Sequence, residues 1–290
     1  MHIEKHCSPF KDTLSYSCLD KKLLVDIAKA LNKTKGLDMN VNGEHKEIYD
    51  NICNVMKHEF KCNTEACWLN IHKLMNNLSK KSANMLKEHF RPMMPPDIVK
   101  SYTNWLSNFD IDKALERFDK DLDDFYYYGA VPIDFKKCSV SNLCKFNLGN
   151  HLKYGENKIG IVFNTDESDE PGSHWISMYM DLVGENLKGQ PGIYYFDSYG
   201  DKPPPEIKEL IEKVHKQGKK HNKEFVVTIN EKSPQKNNYA CGFYCMHFLE
   251  NMIKGTNFNK YVKDKLSDKR MHEYRNRCFL HPDEIKPGAK

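Results

Sequence analysis

The sequence predicts an α+β fold, a central mixed sheet packed by helices, preceded by an all-helical N-terminal domain. Three observations carry that expectation. Over roughly the first ninety residues the apolar side chains recur at helical spacing alone. Beyond about residue 155, short runs with strand character alternate with helical ones, which places helices against a sheet. Between the two regimes stands Arg91-Pro92-Met93-Met94-Pro95-Pro96, which no regular element crosses easily. We divide the chain there, into a helical domain 1–95 and a second domain 96–290.

Each element has its own warrant. Residues 22–32 put Leu23, Leu24, Ile27, Ala28 and Leu31 on one stripe, and residues 45–60 do the same with Ile48, Ile52, Val55, Met56 and Phe60. Two further helices are expected around 66–78 and 82–90. After the proline-rich boundary, Ser107 and Asp110 fit a capping box ahead of a helix bearing Ile111, Leu115, Phe118 and Leu122. Strands are expected at 158–163, 174–181, 192–197 and 224–229. Helices are expected at 204–220, after Pro203-Pro204-Pro205, and at 241–253, where Phe243, Met246, Leu249 and Ile253 repeat at helical spacing.

Two of the strands form a hairpin with chemical content. Residues 174–181 alternate, with Ile176, Met178 and Met180 on one face. The stretch 182–190 is rich in turn residues, and 192–197 is again a strand. An antiparallel pair folded at that turn brings the start of the first strand, His174-Trp175, across from the end of the second, Asp197-Ser198. Asp197 then accepts a hydrogen bond from one nitrogen of the His174 ring and leaves the other free. Further on, Gln235 lies six residues before Cys241, and Cys241 opens a helix. A thiol at a helix N-terminus beside an imidazole is the arrangement that lowers a cysteine pKa from about 8.5 towards neutrality. A base, an orienting carboxylate, an amide donor for an oxyanion and a thiol, in that order, are the parts of a cysteine acyl-transfer site. Gly242 has no side chain, so substrate is expected to approach the backbone there. Singly, each residue has a plain structural explanation: a buried small thiol, a strand-end His, a turn Asp. Their joint order and spacing carry the functional reading.

These residues resemble the catalytic signature of the Ulp/SENP-type cysteine proteases, the SUMO-specific proteases with their adenoviral and large-DNA-virus relatives. The resembling segments are His174-Trp175, Asp197-Ser198 and Gln235 to Cys245; upstream, Trp105-Leu106-Ser107-Asn108 resembles the family's Trp-Leu-Asn-Asp motif. A closer similarity, to the polyprotein-processing proteases of large DNA viruses, runs through Trp105–Phe118, Val162–Asp166, His174–Asp181 and Tyr195–Gly200. The resemblance implies a papain-like or adenain-like core with the nucleophile at a helix N-terminus, and a Cys241–His174–Asp197 triad with Gln235 in the oxyanion hole. It also implies a narrow tunnel closed by Trp105 and Trp175 over a Gly-Gly tail. Ala240 departs from the pattern, since SUMO proteases carry Asp before the cysteine. The implied activity is a thiol endopeptidase cutting after a Gly-Gly or Ala-Gly motif. Its implied substrates are viral structural polyproteins, with a SUMO- or ubiquitin-type isopeptidase, and an inactive module gripping a Gly-Gly tail, as alternatives. The implied setting is host cytoplasm and virion.

Composition bounds the remainder. A chain of 290 residues, 39% hydrophobic and 29% charged, supports a core without wholesale disorder. No apolar stretch approaches the ~18 residues of a membrane span, and Met1 to His6 has no signal-peptide core. Ten cysteines without a secretion signal are read as reduced thiols in an intracellular compartment. Cys62 and Cys67, with His58 or His72, sit at the loose end of zinc-ligand spacing and lack a second matching pair, so they too are read as ordinary thiols. Cys245, one helical turn beyond Cys241, is assigned to packing. No cofactor is implied. The net charge of +4 is modest. Its densest run, Lys213, Lys216, Lys219 and Lys220, is read as the solvated end of an amphipathic helix, with weak nucleic-acid contact as the alternative.

Overall fold

The computed structural model describes residues 6–11, 13–264 and 266–288; Met1 to Lys5, read above for a signal-peptide core, lie outside them. The chain divides into two compact units, Met1–Met94 with Asn276–Lys290, and Pro95–Arg275. The second domain expected at 96–290 thus ends earlier, and the C-terminal residues group with the first unit. Leu280 and Ile285 explain why: both are buried in the N-terminal core beside Trp68 and Phe90. The sequence pattern could not show this, because two apolar residues in a short tail have no periodicity to read.

The first unit is helical. It contains α1 (Lys21–Lys35), α2 (His45–Phe60), α3 (His72–Asn77) and α4 (Lys80–Glu88). Asp20 caps α1 by accepting from the Leu23 amide at 2.7 Å, and Gly36 ends it in the left-handed region at φ 65°. The stripe expected on α1 is fully buried, as are Ile48, Ile52 and Met56 of α2. The helix expected over 66–78 is two pieces, a 3₁₀ turn Ala66–Asn70 and then α3, separated by Ile71 at φ −87°, ψ 90°.

The cysteines differ from the sequence reading. Cys7–Cys18, Cys62–Cys67 and Cys138–Cys144 are disulfides, each within its own unit. Each pair is close in sequence, and local turns bring the two α-carbons to 5.3–5.5 Å, the separation a disulfide spans. Composition counts thiols but does not show their proximity. The Cys62–Cys67 bond also removes both sulfurs as zinc ligands. Cys53, Cys241, Cys245 and Cys278 lie outside these disulfides.

The second unit holds α5 (Pro96–Lys100), α6 (Asn108–Asp121), β1 (Phe125–Pro132), α7 (Leu148–Tyr154), β2 (Lys158–Asn164), β3 (Trp175–Asp181), β4 (Gly192–Phe196), α8 (Pro205–Lys220), β5 (Val226–Ile229), α9 (Cys241–Ile253) and α10 (Phe258–Lys263); α11 (Asp268–Cys278) carries the chain onward. The strands form one mixed sheet in the order β1-β2-β3-β4-β5. The outer pairs, β1–β2 and β4–β5, are parallel and the inner pairs antiparallel. Strand β1 was not expected. Its Tyr-Tyr-Tyr-Gly-Ala-Val-Pro run does not alternate, and Gly129, at φ 99°, sits where the ladder to β2 shifts register between Tyr127 and Ala130. Asp112 of α6 holds this irregularity, accepting from the Ala130 amide at 2.7 Å and the Tyr127 hydroxyl at 3.0 Å.

One face of the sheet, with Ile161, Phe163, Ile176, Met178 and Met180, packs on Ile207, Leu210, Ile211 and Val214 of α8. The other face receives α9, which lies against β3. This helix is buried on nearly every side, and so its apolar positions exceed the single stripe that the sequence suggested. Of the lysines of α8, Lys216, Lys219 and Lys220 are exposed, and Lys213 donates to the Cys144 carbonyl at 3.3 Å. Among the described residues no helix is long and apolar enough to cross a membrane.

Candidate active site

The β3–β4 hairpin brings the first two parts together. Its turn is fixed by Asp181, wholly buried at the end of β3, whose carboxylate accepts from the amides of Val183 (3.1 Å), Gly184 (2.7 Å) and Asn186 (2.8 Å). With the turn held, the register pairs Ser177 with Phe196. Carried three residues further on each strand, it sets His174 across from Tyr199 rather than Asp197. The side chains meet all the same: His174 Nε2 donates to Asp197 Oδ1 at 2.8 Å, since a carboxylate can only accept. Asp197 is 3% exposed and its Oδ1 also accepts from the Tyr199 amide at 2.8 Å. Its backbone carbonyl receives the Asn230 side-chain amide at 2.6 Å. Asp197 is therefore held through one carboxylate oxygen and through its main chain, independently of the imidazole.

With Nε2 turned to Asp197, Nδ1 is the nitrogen left for Cys241, and the thiol lies within hydrogen-bonding reach of the ring. Burial pushes the imidazole pKa down. Hydrogen bonds to Asp197 and Cys241, and the negative charges of both, outweigh it and raise the pKa from 6.5 to about 9. The ring is therefore protonated through neutrality, and an imidazolium stabilises a neighbouring thiolate. Cys241 is the first residue of α9 and is 2% exposed. Amides in the first turn of a helix have no intrahelical acceptor, so they face whatever binds at the thiol. The approach to the helix is fixed by Asn237, whose Oδ1 accepts from the amides of Tyr239 (3.0 Å) and Ala240 (2.9 Å). Asp268 holds the same loop from below, accepting from the Asn237 amide at 2.9 Å and from the Tyr244 hydroxyl at 3.0 Å.

Gln235 is near, but its amide is engaged. Its Nε2 donates to Tyr199 Oη at 3.1 Å and to the Asn237 carbonyl at 2.9 Å, while its Oε1 accepts from the Ser198 hydroxyl at 2.6 Å. It is 1% exposed. Donation to an oxyanion requires the amide to exchange one of these partners. Gly242 is placed differently from the sequence expectation. A Cβ there would lie 3.2–3.3 Å from Leu106 and Ile111, so the missing side chain admits close packing at the start of α6 rather than substrate. Cys245, buried and with its thiol pushed well above the usual range, is a packing residue.

The tryptophans share a cleft of about 620 Å³ with Leu106, Pro132, Asn164, Pro171 and Gly172. Trp175 is buried and its indole nitrogen donates to the Leu106 carbonyl at 3.0 Å, whereas Trp105 is 41% exposed. Trp175, which lines the cleft, is the chain neighbour of His174. Ile176, on the opposite face of β3, points into the sheet–α8 core as alternation requires. Sequence reasoning singled out neither Tyr199 nor Asn230, Asn237 and Asp268. The hairpin register carried a signal for Tyr199, which is the residue opposite His174. Asn230 and Asp268 are joined to the site only through the tertiary fold and left no local trace.

Residues 158–287 match the Ulp1 protease family, C-terminal catalytic domain. This span contains His174, Asp197, Gln235 and Cys241. A protein of Acanthamoeba polyphaga mimivirus that carries the name of a thiol protease is 33% identical over 187 residues, covering 64% of this chain and 60% of that one. A cysteine protease of an African swine fever virus tick isolate is 24% identical over 276 residues, 91% of each chain. The corresponding protein from a Kenyan pig isolate, 23% identical, is named a SUMO-1 cysteine protease. The crystal structure of the African swine fever virus protease superposes with a TM-score of 0.64 at 20% identity, covering 96% of each chain, which shows a shared fold.

Proposed function

We propose, from the premise that residues 158–287 are a cysteine-peptidase catalytic domain of the Ulp1 protease family, that this chain is a thiol endopeptidase acting through Cys241, His174 and Asp197. The observation that carries this is the geometry of His174, hydrogen-bonded to the buried Asp197 carboxylate at 2.8 Å and next to the Cys241 thiol that opens α9. The Cys241 thiolate attacks the substrate carbonyl. The first-turn amides of α9 stabilise the oxyanion, together with Gln235 once it releases a partner. The imidazolium at His174 gives its proton to the leaving amine, and the neutral ring then activates water to hydrolyse the thioester. Asp197 keeps the ring oriented throughout.

The substrate we propose is a polypeptide with Gly-Gly or Ala-Gly before the scissile bond. Trp105 and Trp175 line one cleft, and on this reading the substrate residues that pass between them carry no bulky side chains. The relatives described above are proteins of large DNA viruses, which supports a viral structural polyprotein as the target. The setting we propose is the infected cell's cytoplasm and the virus particle. The three disulfides favour the particle, since such bonds persist outside reducing cytosol. The name SUMO-1 cysteine protease, given to the Kenyan homologue, keeps a ubiquitin-like precursor as the second substrate.

The test sets matched peptides with Gly-Gly, Ala-Gly and Ala-Ala before the cut beside SUMO and ubiquitin precursors. We expect cleavage of the first two, none of Ala-Ala, and slow turnover of the precursors. Rapid cleavage of the precursors alone would replace the polyprotein reading. A C-terminal Gly-Gly vinyl sulfone that leaves Cys241 unlabelled would overturn the peptidase reading and favour a binding module.

A further inference from the structure

One residue links every part of this site and belongs to no part of the expected triad. The Tyr199 ring stacks on His174, with centroids 4.7 Å apart and planes at 24°. Its amide donates to Asp197 Oδ1 at 2.8 Å. Its hydroxyl donates to the Asn237 carbonyl at 3.0 Å and accepts from Gln235 Nε2 at 3.1 Å. Asn237 in turn caps the turn that delivers Cys241. The strand carrying the acid and the loop carrying the thiol have no covalent connection nearby, and Tyr199 spans them.

We propose that Tyr199 is the positioning residue of this site: its ring fixes the plane of the His174 imidazole, and its hydroxyl ties that imidazole to the loop that presents Cys241 and Gln235. This rests on the reading of Cys241 and His174 as nucleophile and base. The physical case is one of angles. The Asp197 hydrogen bond fixes one point on the His174 ring but leaves rotation about the Nε2–Oδ1 line, and Nδ1 must point at sulfur. A stacked aromatic face at 4.7 Å removes that freedom without competing for either nitrogen. The hydroxyl does a separate task. By bonding Asn237 and Gln235, which also bond each other, it adds to the Ser198–Gln235 ties that join the hairpin to the loop before α9. It also occupies one hydrogen of the Gln235 amide until substrate arrives.

The two tasks separate by substitution. Tyr199→Phe keeps the ring and removes the tie, and Tyr199→Leu removes both. The full-length enzyme is assayed with a Gly-Gly peptide, and Cys241 alkylation by iodoacetamide is followed across pH. For Tyr199→Phe we expect kcat to fall about tenfold with KM within about twofold, the size of one lost hydrogen bond. Its alkylation profile keeps the low-pH reactivity of an imidazolium-paired thiolate. For Tyr199→Leu we expect a fall of about a hundredfold and an alkylation profile that moves towards an ordinary thiol near pH 8.5. A change in the alkylation profile confined to the variant without the ring is what a mere packing role would not produce. Wild-type kcat and an unmoved alkylation profile in both variants would overturn the assignment, as would a rise in KM with kcat intact, which would make Tyr199 a substrate contact. If the Leu variant does not fold, Tyr199→Met, which also lacks the ring face, serves for the same comparison. A wild-type enzyme whose alkylation is indifferent to His174→Ala fails the underlying reading instead, and the two failures are thereby distinct.

Discussion

Cys53 on α2 and Cys241 on α9 are the same side chain on helices of two separate units, and their surroundings differ. Cys53 is half-buried, and burial raises its thiol to about 12. A hydrogen bond from Tyr49 offsets little of this, and the charges of Glu65 and Asp50 push the same way. Cys241 is more deeply buried, at 2% exposure, yet has the His174 imidazole beside it. Cys245 makes the point a third time, one turn along the same helix as Cys241, with burial and the neighbouring Cys241 driving its pKa far up. Burial alone holds a thiol protonated; of the three, only Cys241 sits at a helix start beside the hairpin's imidazole.

The comparison breaks most visibly by removing its active partner. Cys241→Ala and His174→Ala should each lower kcat by about 10⁴-fold or more, as for other nucleophile–base pairs. Cys53→Ala should leave kcat within about twofold, the ordinary result of a change remote from the chemistry. A large loss from Cys53→Ala would move the chemistry to the N-terminal unit, where Cys53 lines a separate cavity of about 430 Å³ with Tyr16, Tyr49 and Trp68.

The next effect concerns the amide. Gln235→Ala should lower kcat by about 10²–10³, the usual loss of one oxyanion donor, with KM little changed. It should also cost about 1–3 kcal/mol of stability, because the Ser198 hydroxyl loses its buried acceptor. A stability loss with kcat intact would mean that the bonds to Tyr199 and Asn237 are permanent, and that α9 amides alone hold the oxyanion.

The two units were legible to different degrees, for physical reasons. The N-terminal helices announced themselves because amphipathic stripes such as Leu23-Leu24-Ile27-Leu31 are a local property. The His174–Asp197 meeting was legible too, since a hairpin converts sequence separation into geometry. The exact partner across from His174 was not, because the meeting depends on side-chain reach as well as register. Strand β1 hid behind a bulge that destroys alternation. The disulfides and the placement of the C-terminal tail escaped because they are tertiary proximities, not patterns. Tyr199 escaped because an aromatic in a turn reads locally as nothing more than an aromatic in a turn.

The smallest effect is a pH dependence with opposite consequences for the two thiols. The His174 pKa is raised from 6.5 to about 9 in the folded protein. A raised pKa means that the proton binds more tightly in the fold. The stabilisation it provides is therefore complete below about pH 6.5 and declines as pH rises through about 9. Turnover should follow the same limb, kcat/KM holding through neutrality and falling about tenfold per pH unit above about 9, when the leaving amine loses its proton donor. Iodoacetamide should label Cys241 in a way that depends on His174, its rate changing in His174→Ala. Cys53, with its thiol near 12, should label at pH 8.5 roughly a thousandfold more slowly than an unperturbed thiol, measured by mass spectrometry of the native protein. Equal labelling rates at the two positions would show that Cys241 is not paired with an imidazolium. The contrast between the two helices would then reduce to a difference in access.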